Sequence, residues 1–119
     1  MDIQGMIKRV REHPEARKVG MIASHLGIVR GTSRSGAEVE RIEVVYDYNV
    51  IRSIISDIRT MPGIIEVLVD TREGLLEVGD EILTVVVGGD IRENVFSALM
   101  TAVNRIKAEA SKKKEFARE

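Results

Sequence analysis

The stretch Val39-Glu40-Arg41-Ile42-Glu43-Val44-Val45-Tyr46-Asp47, continued by Tyr48-Asn49-Val50-Ile51-Arg52-Ser53-Ile54-Ile55-Ser56-Asp57-Ile58, changes its period in the middle. In the first part Ile42, Val44 and Tyr46 alternate with Arg41, Glu43 and Val45, the pattern of a pleated strand with two different faces. In the second part Val50, Ile51, Ile54, Ile55 and Ile58 recur every three or four residues, the apolar stripe of a helix. A strand that passes directly into an amphipathic helix is the signature of a mixed domain.

The same switch can be traced on either side. Ile3, Met6, Ile7 and Val10 predict a short opening helix, ended at His13-Pro14 because the residue before proline avoids helical backbone. Val19 to Val29 is a β-branched run with little polarity, which predicts a buried strand, and the turn-rich Arg30-Gly31-Thr32-Ser33-Arg34-Ser35-Gly36 leads into the alternating strand. These two strands are expected to pair as a hairpin. After the central helix stops near Met61-Pro62-Gly63, Ile64 to Val69 and Glu81 to Val87 predict two more strands. Gly74 to Asp80 lies between them, with glycines placed for a sharp reversal. Asp90-Ile91-Arg92-Glu93 has the form of a capping box opening a long last helix that reaches at least Ala110. The expected fold is α+β, in the order α-ββ-α-ββ-α, with a mostly antiparallel sheet. The 119 residues are expected to form one domain, 1–119, with a solvated basic tail from about 111 carrying Lys112-Lys113-Lys114.

Composition removes several functions. There is no cysteine, so the chain supplies no thiol nucleophile, disulfide or Cys-based metal site. Eighteen Lys and Arg against 19 Asp and Glu leave a net charge of -1, which gives no global attraction to nucleic acid. Aromatics are limited to Tyr46, Tyr48, Phe96 and Phe116, too few for a base-stacking platform. No apolar run reaches membrane-span length, and a cytoplasmic protein without metal, nucleic-acid or membrane partner is expected.

What remains is cationic chemistry over aliphatic walls. Phe96, Met100 and Val103 step along one face of the last helix, and Lys107 takes the next place on that stripe. Such a lysine either snorkels at a core edge or is partly desolvated, the second case suiting amine chemistry or an anionic intermediate. Lys114 lies on the same face two turns on if the helix persists. Arg30 and Arg34 bracket a Gly/Thr/Ser loop, either a phosphate cradle or an ordinary polar hairpin tip. Arg92, in the first helical turn, opposes the helix dipole and calls for an anionic partner, whether a ligand, Asp90 or Glu93. His25, among apolar neighbours, reads as a hydrogen-bonded core residue. Arg30, Arg92, Lys107 and Lys114 thus form a candidate anion site.

Four segments in register carry a resemblance. Gly20 to Arg30 resembles the Gly-x-x-x-x-φ-x-Gly-x-Val-Arg strand (φ, hydrophobic) of the large subunit of molybdopterin synthase, the MoaE family. Gly74-Leu75-Leu76-Glu77-Val78-Gly79-Asp80 resembles its Gly-x-Leu-x-x-Gly-Asp/Glu turn, and Arg92 with Phe96 resembles its His-Arg-x-x-x-Phe stretch. Lys107 falls where its helix-borne lysine does. The resemblance implies an α/β hammerhead fold and a sulfurtransferase that converts cyclic pyranopterin monophosphate to the dithiolene of molybdopterin. It implies no permanently bound cofactor. Sulfur would come as a thiocarboxylate on the Gly-Gly tail of a small, MoaD-like carrier subunit, in a heterotetramer built on a homodimer of this chain. By the same resemblance Lys107 and Lys114 are catalytic, and Arg30, Arg34 and Arg92 bind substrate. The chain departs from the pattern at Ile91, where the family has histidine, at Thr71 before Arg72, and at Ser111-Lys112-Lys113-Lys114, which lacks the Pro and Trp of Pro-x-Trp-Lys. With the proline missing, the last helix is expected to run on. A non-catalytic relative that binds a carrier tail or a small anion is the alternative reading.

Overall fold

The protein is described by a computed structural model covering residues 2–118. Helix α1 spans Ile3–Arg11, β1 Met21–Ile28, β2 Val39–Tyr46, α2 Tyr48–Arg59, β3 Ile64–Thr71, β4 Gly74–Glu77, β5 Glu81–Gly89 and α3 Arg92–Arg105. A π-helical turn, Ile106–Ala110, then joins α3 to a last strand, β6, Ser111–Ala117. Every strand pairing is antiparallel, and the α+β class expected from the sequence is the one observed.

The strands divide into two sheets of three, ordered β1-β5-β3 and β4-β2-β6. The expected hairpin between β1 and β2 does not form. β1 pairs with β5, Met21 opposite Gly89, whereas β2 lies between β4 and β6. Residues 31–39 still close on themselves, through a bridge from Thr32 to Glu38 and the Val39 N–H donating to Gly31 O at 2.9 Å. The β1–β2 connection is therefore a tight arm between sheets. Burial explains the parting. β5 is buried on both faces, Val85 and Val87 against the α2/α3 layer and Val86 against Met6 and Val10 of α1, and such a strand needs a partner on each edge.

Two elements escaped the sequence pattern. Gly74 to Glu77, expected as part of a reversal, is strand β4, while the reversal itself uses Gly74 at φ 99° and Gly79 at φ 95°. Residues 111–117, expected as a helical continuation or a basic tail, form β6 along the open edge of β2. A helix of Lys112, Lys113 and Lys114 would have no apolar face to bury, and helices in proteins depend on such burial. As a strand the same residues complete the ladder with Val44, Val45 and Glu43, and Phe116 packs under Arg41, whose guanidinium carbon lies 5.1 Å from the ring centre.

The capping box is also displaced. The residue before the first turn of α3 is Ile91, with no side-chain cap. Asp90 instead accepts from the Ile91 N–H (2.7 Å) and from Asn94 Nδ2 (2.9 Å), and Glu93 pairs with Arg92. The helix begins one residue later than the box requires. Its core face is Val95, Ala98, Ala102 and Val103, continued by Ile106; of the predicted stripe Val103 is buried, whereas Phe96 and Met100 are 55% and 68% exposed. Small alanines on the buried face let α3 lie close to the sheet. Among the described residues no helix is long and apolar enough to cross a membrane.

Candidate functional site

A cavity of about 800 Å³ opens where the two sheets meet the π-helical turn. Its floor is aliphatic, made by Val29, Ile42, Val44, Ile82 and Leu83. Its rim carries four cations, Arg30, Arg34, Lys107 and Lys113, against one carboxylate, Glu115. An apolar base beneath an excess of positive charge suits an anionic organic molecule.

Each side chain reaches the rim for a local reason. Arg30 leaves the end of β1, and its Nε donates to Thr32 O at 3.0 Å, which holds the guanidinium beside the arm. The arm bearing Arg34 is braced by Ser33, whose Oγ accepts from the Ala37 N–H at 3.2 Å and contacts Ser35 Oγ at 2.8 Å. Lys107 stands on the π-helical turn, where the widened helix changes the direction of side chains relative to a regular continuation. That turn is anchored at both ends. Ser111 Oγ donates to Lys107 O at 3.0 Å, and Arg105 donates to Glu109 on the turn (2.8 Å) and Asp57 on α2 (2.7 Å). Beneath it, Ile106 is fully buried and Ala110 nearly so.

Tyr46 lines the cavity from β2. Burial, with Tyr48 and Glu73 adding to it, pushes its phenol up to about 12, so the ring is a neutral wall. Behind it the Glu73 carboxylate accepts from the Tyr48 hydroxyl (2.6 Å) and the Tyr46 N–H (3.0 Å), bonds that hold its pKa below the usual carboxylate range.

The five residues expected at the site therefore separate. Arg30, Arg34 and Lys107 come together on one cavity. Arg92 does not line it; it is exposed at the start of α3 and its Nε lies 3.4 Å from Glu93. Lys114 does not line it either, because residues alternate along β6 and Lys114 faces the other side, 5.2 Å from the centre of the Phe116 ring. Lys113 takes its place, which only the strand register reveals. The sequence places His25 in the core and not at the site. It is no hydrogen-bonded core residue: it lines the cavity, and its buried Nε2 has no hydrogen-bond partner among the described residues. Among those residues no group of three or more His, Asp or Glu is placed to hold a metal ion.

Comparison with known proteins gives this architecture a family. The sequence pattern of the family described as MoaE protein matches residues 1–109. Among solved structures, the molybdopterin biosynthesis MoaE protein from Burkholderia ambifaria MC40-6 shares 25% identity, with 97% of this chain and 76% of that one covered and a TM-score of 0.78. Molybdopterin synthase from Staphylococcus aureus aligns at 24% identity over 86% of this chain and 77% of that one, with a TM-score of 0.73. A complex of subunits 1 and 2 of molybdopterin-converting factor from Helicobacter pylori 26695 aligns at 15% identity over 99% of this chain and 80% of that one, with a TM-score of 0.72. A search of curated proteins finds no match. The fold is thus that of molybdopterin synthase large subunits. The chain belongs to the MoaE family, with a role in molybdenum cofactor biosynthesis as the large subunit.

Proposed function

We propose that the chain catalyses sulfur transfer to cyclic pyranopterin monophosphate, giving the dithiolene of molybdopterin. The carrying observation is that Arg30 and Arg34 of one loop and the distant Lys107 rim one aliphatic cavity in a member of the MoaE family. Arg30 and Arg34 bind the phosphate as charge-assisted donors. The aliphatic floor takes the pterin plane, and Lys107 stabilises negative charge that develops during transfer. With no cysteine of its own, the chain receives sulfur from outside. The source is a small carrier subunit with a thiocarboxylated Gly-Gly tail, a pairing supported by the two-subunit Helicobacter pylori complex of the same fold.

In the full assembly two copies of this chain pair, each with one carrier, in the cytoplasm. Ile91, Phe96 and Met100, exposed along α3, are the kind of apolar surface such pairing covers. The test is reconstitution with thiocarboxylated carrier and precursor. The wild-type chain should form the dithiolene and Lys107→Ala should not; turnover that survives this substitution overturns the assignment of Lys107. One observation favours a non-catalytic relative: position 91 is isoleucine and the neighbouring Arg92 lies off the cavity. Tight binding of the carrier tail without product would establish that reading.

A further inference from the structure

His25 is a group that the proposed sulfur transfer leaves without a role. It lies in β1 among largely apolar residues, yet its polar ring stands inside the cavity. The buried Nε2 has no partner among the described residues, and leaving a buried polar atom unsatisfied is unfavourable. The fold makes room for it. A Cβ on Gly27, two residues on, would sit 3.1 Å from Nε2 and 3.2 Å from Ile82 Cγ2. A ring that is accommodated and left unbonded at the wall of a cation-rimmed cavity is placed to bond whatever fills it.

We propose that His25 is a substrate-binding residue whose Nε2–H donates to an anionic oxygen of the cavity's ligand, and that it takes up a proton when the anion binds. Burial, and then the charge of Lys107, hold the imidazole pKa below the ordinary histidine value, which favours the neutral ring. The groups facing it are cationic Lys107 on the π-helical turn, Arg30 and Arg34 on the arm, Lys113 and Glu115 on β6, and the neutral Tyr46 phenol on β2; β5 contributes only Ile82 and Leu83. An entering anion offsets these positive charges and favours imidazolium, so the pKa rises on binding. By linkage, anion affinity must then rise as pH falls. The ligand chemistry required is a phosphate or sulfate-like dianion. This role rests on the cavity as an anion site and is independent of sulfur transfer itself.

The test uses inorganic sulfate, whose charge is constant across the histidine range, with the full chain. The chain has two histidines, so His13, on a turn outside the cavity, is an internal control in an NMR titration. The His25 midpoint should lie below the ordinary histidine value, and sulfate should raise it by about one unit. Sulfate affinity should fall severalfold, and by less than about tenfold, from roughly pH 5.5 to 8 in the wild type and should be flat in His25→Phe. If His25→Phe does not fold, His25→Gln, which retains a donor, should bind sulfate with no pH dependence. A pH dependence unchanged by either substitution, or a His25 midpoint insensitive to sulfate, overturns the proposal and leaves the sulfur-transfer reading intact. Intact sulfate linkage in a protein that makes no dithiolene would do the reverse.

Discussion

Lys113 and Lys114 are adjacent in β6 and lie on opposite sides of the sheet. Lys113 lines the cavity, whereas Lys114 lies 5.2 Å from the centre of the Phe116 ring on the outer face. A helical continuation would have set Lys114 on the Lys107 face instead; the two-residue period of the strand exchanged the pair. Lys113→Ala should therefore weaken sulfate binding by about two- to fivefold, the range of a partly exposed charge, while Lys114→Ala leaves it unchanged. Isothermal titration at low salt reads this directly. Equal losses in both variants would mean that the register of β6 is wrong.

Ile106 is fully buried at the start of the π-helical turn that bears Lys107. Ile106→Ala removes a large aliphatic side chain where neighbouring backbone cannot collapse easily, at a cost of about 2–5 kcal/mol. Urea unfolding monitored by circular dichroism should show the lower midpoint with an unchanged slope.

Glu73 ties β2 to the start of α2 by accepting from Tyr48 Oη and the Tyr46 N–H, and these bonds depress its pKa in the folded protein. A depressed folded pKa contributes stability that is fully present above the unfolded carboxylate value and is lost as pH falls through the folded one. Glu73→Gln should accordingly flatten the acid side of a melting temperature profile measured from about pH 7 to 3, relative to wild type. An identical acid-side slope in both proteins would deny Glu73 this role.

Met100 is 68% exposed on α3 beside Phe96. If copies of the chain pair through this face, Met100→Lys should shift sedimentation from dimer to monomer while altering the stability of the single chain by no more than about 0.5 kcal/mol. Unchanged sedimentation would place the contact elsewhere.

The elements with strong local periodicity were legible in the sequence. α2 follows the Ile51, Ile54, Ile58 stripe, and β2 follows the alternation that precedes it. The glycines at 74 and 79 marked a real reversal because only backbone freedom was needed there. β6 was illegible, because Lys112 to Lys114 has no hydrophobic pattern of either period and becomes a strand only because β2 offers an unpaired edge. The α3 stripe misled for a related reason. Periodicity cannot say which of two faces is covered, and Val95, Ala98 and Ala102 face the sheet while larger Phe96 and Met100 do not.

The site divides in the same way. Composition and the order of residues were enough to narrow the chemistry: no cysteine, few aromatics, and cations at 30, 34 and 107 in a chain rich in Ile and Val. Which cations share a cavity, that Lys113 lines it in place of Lys114, and that His25 stands in its wall emerge only once the chain is folded. The physical reason is that charge and burial act through space. A lysine's neighbours across a cavity come from strands paired by backbone hydrogen bonds, and nothing in the side-chain order of one segment records which edge another segment will fill.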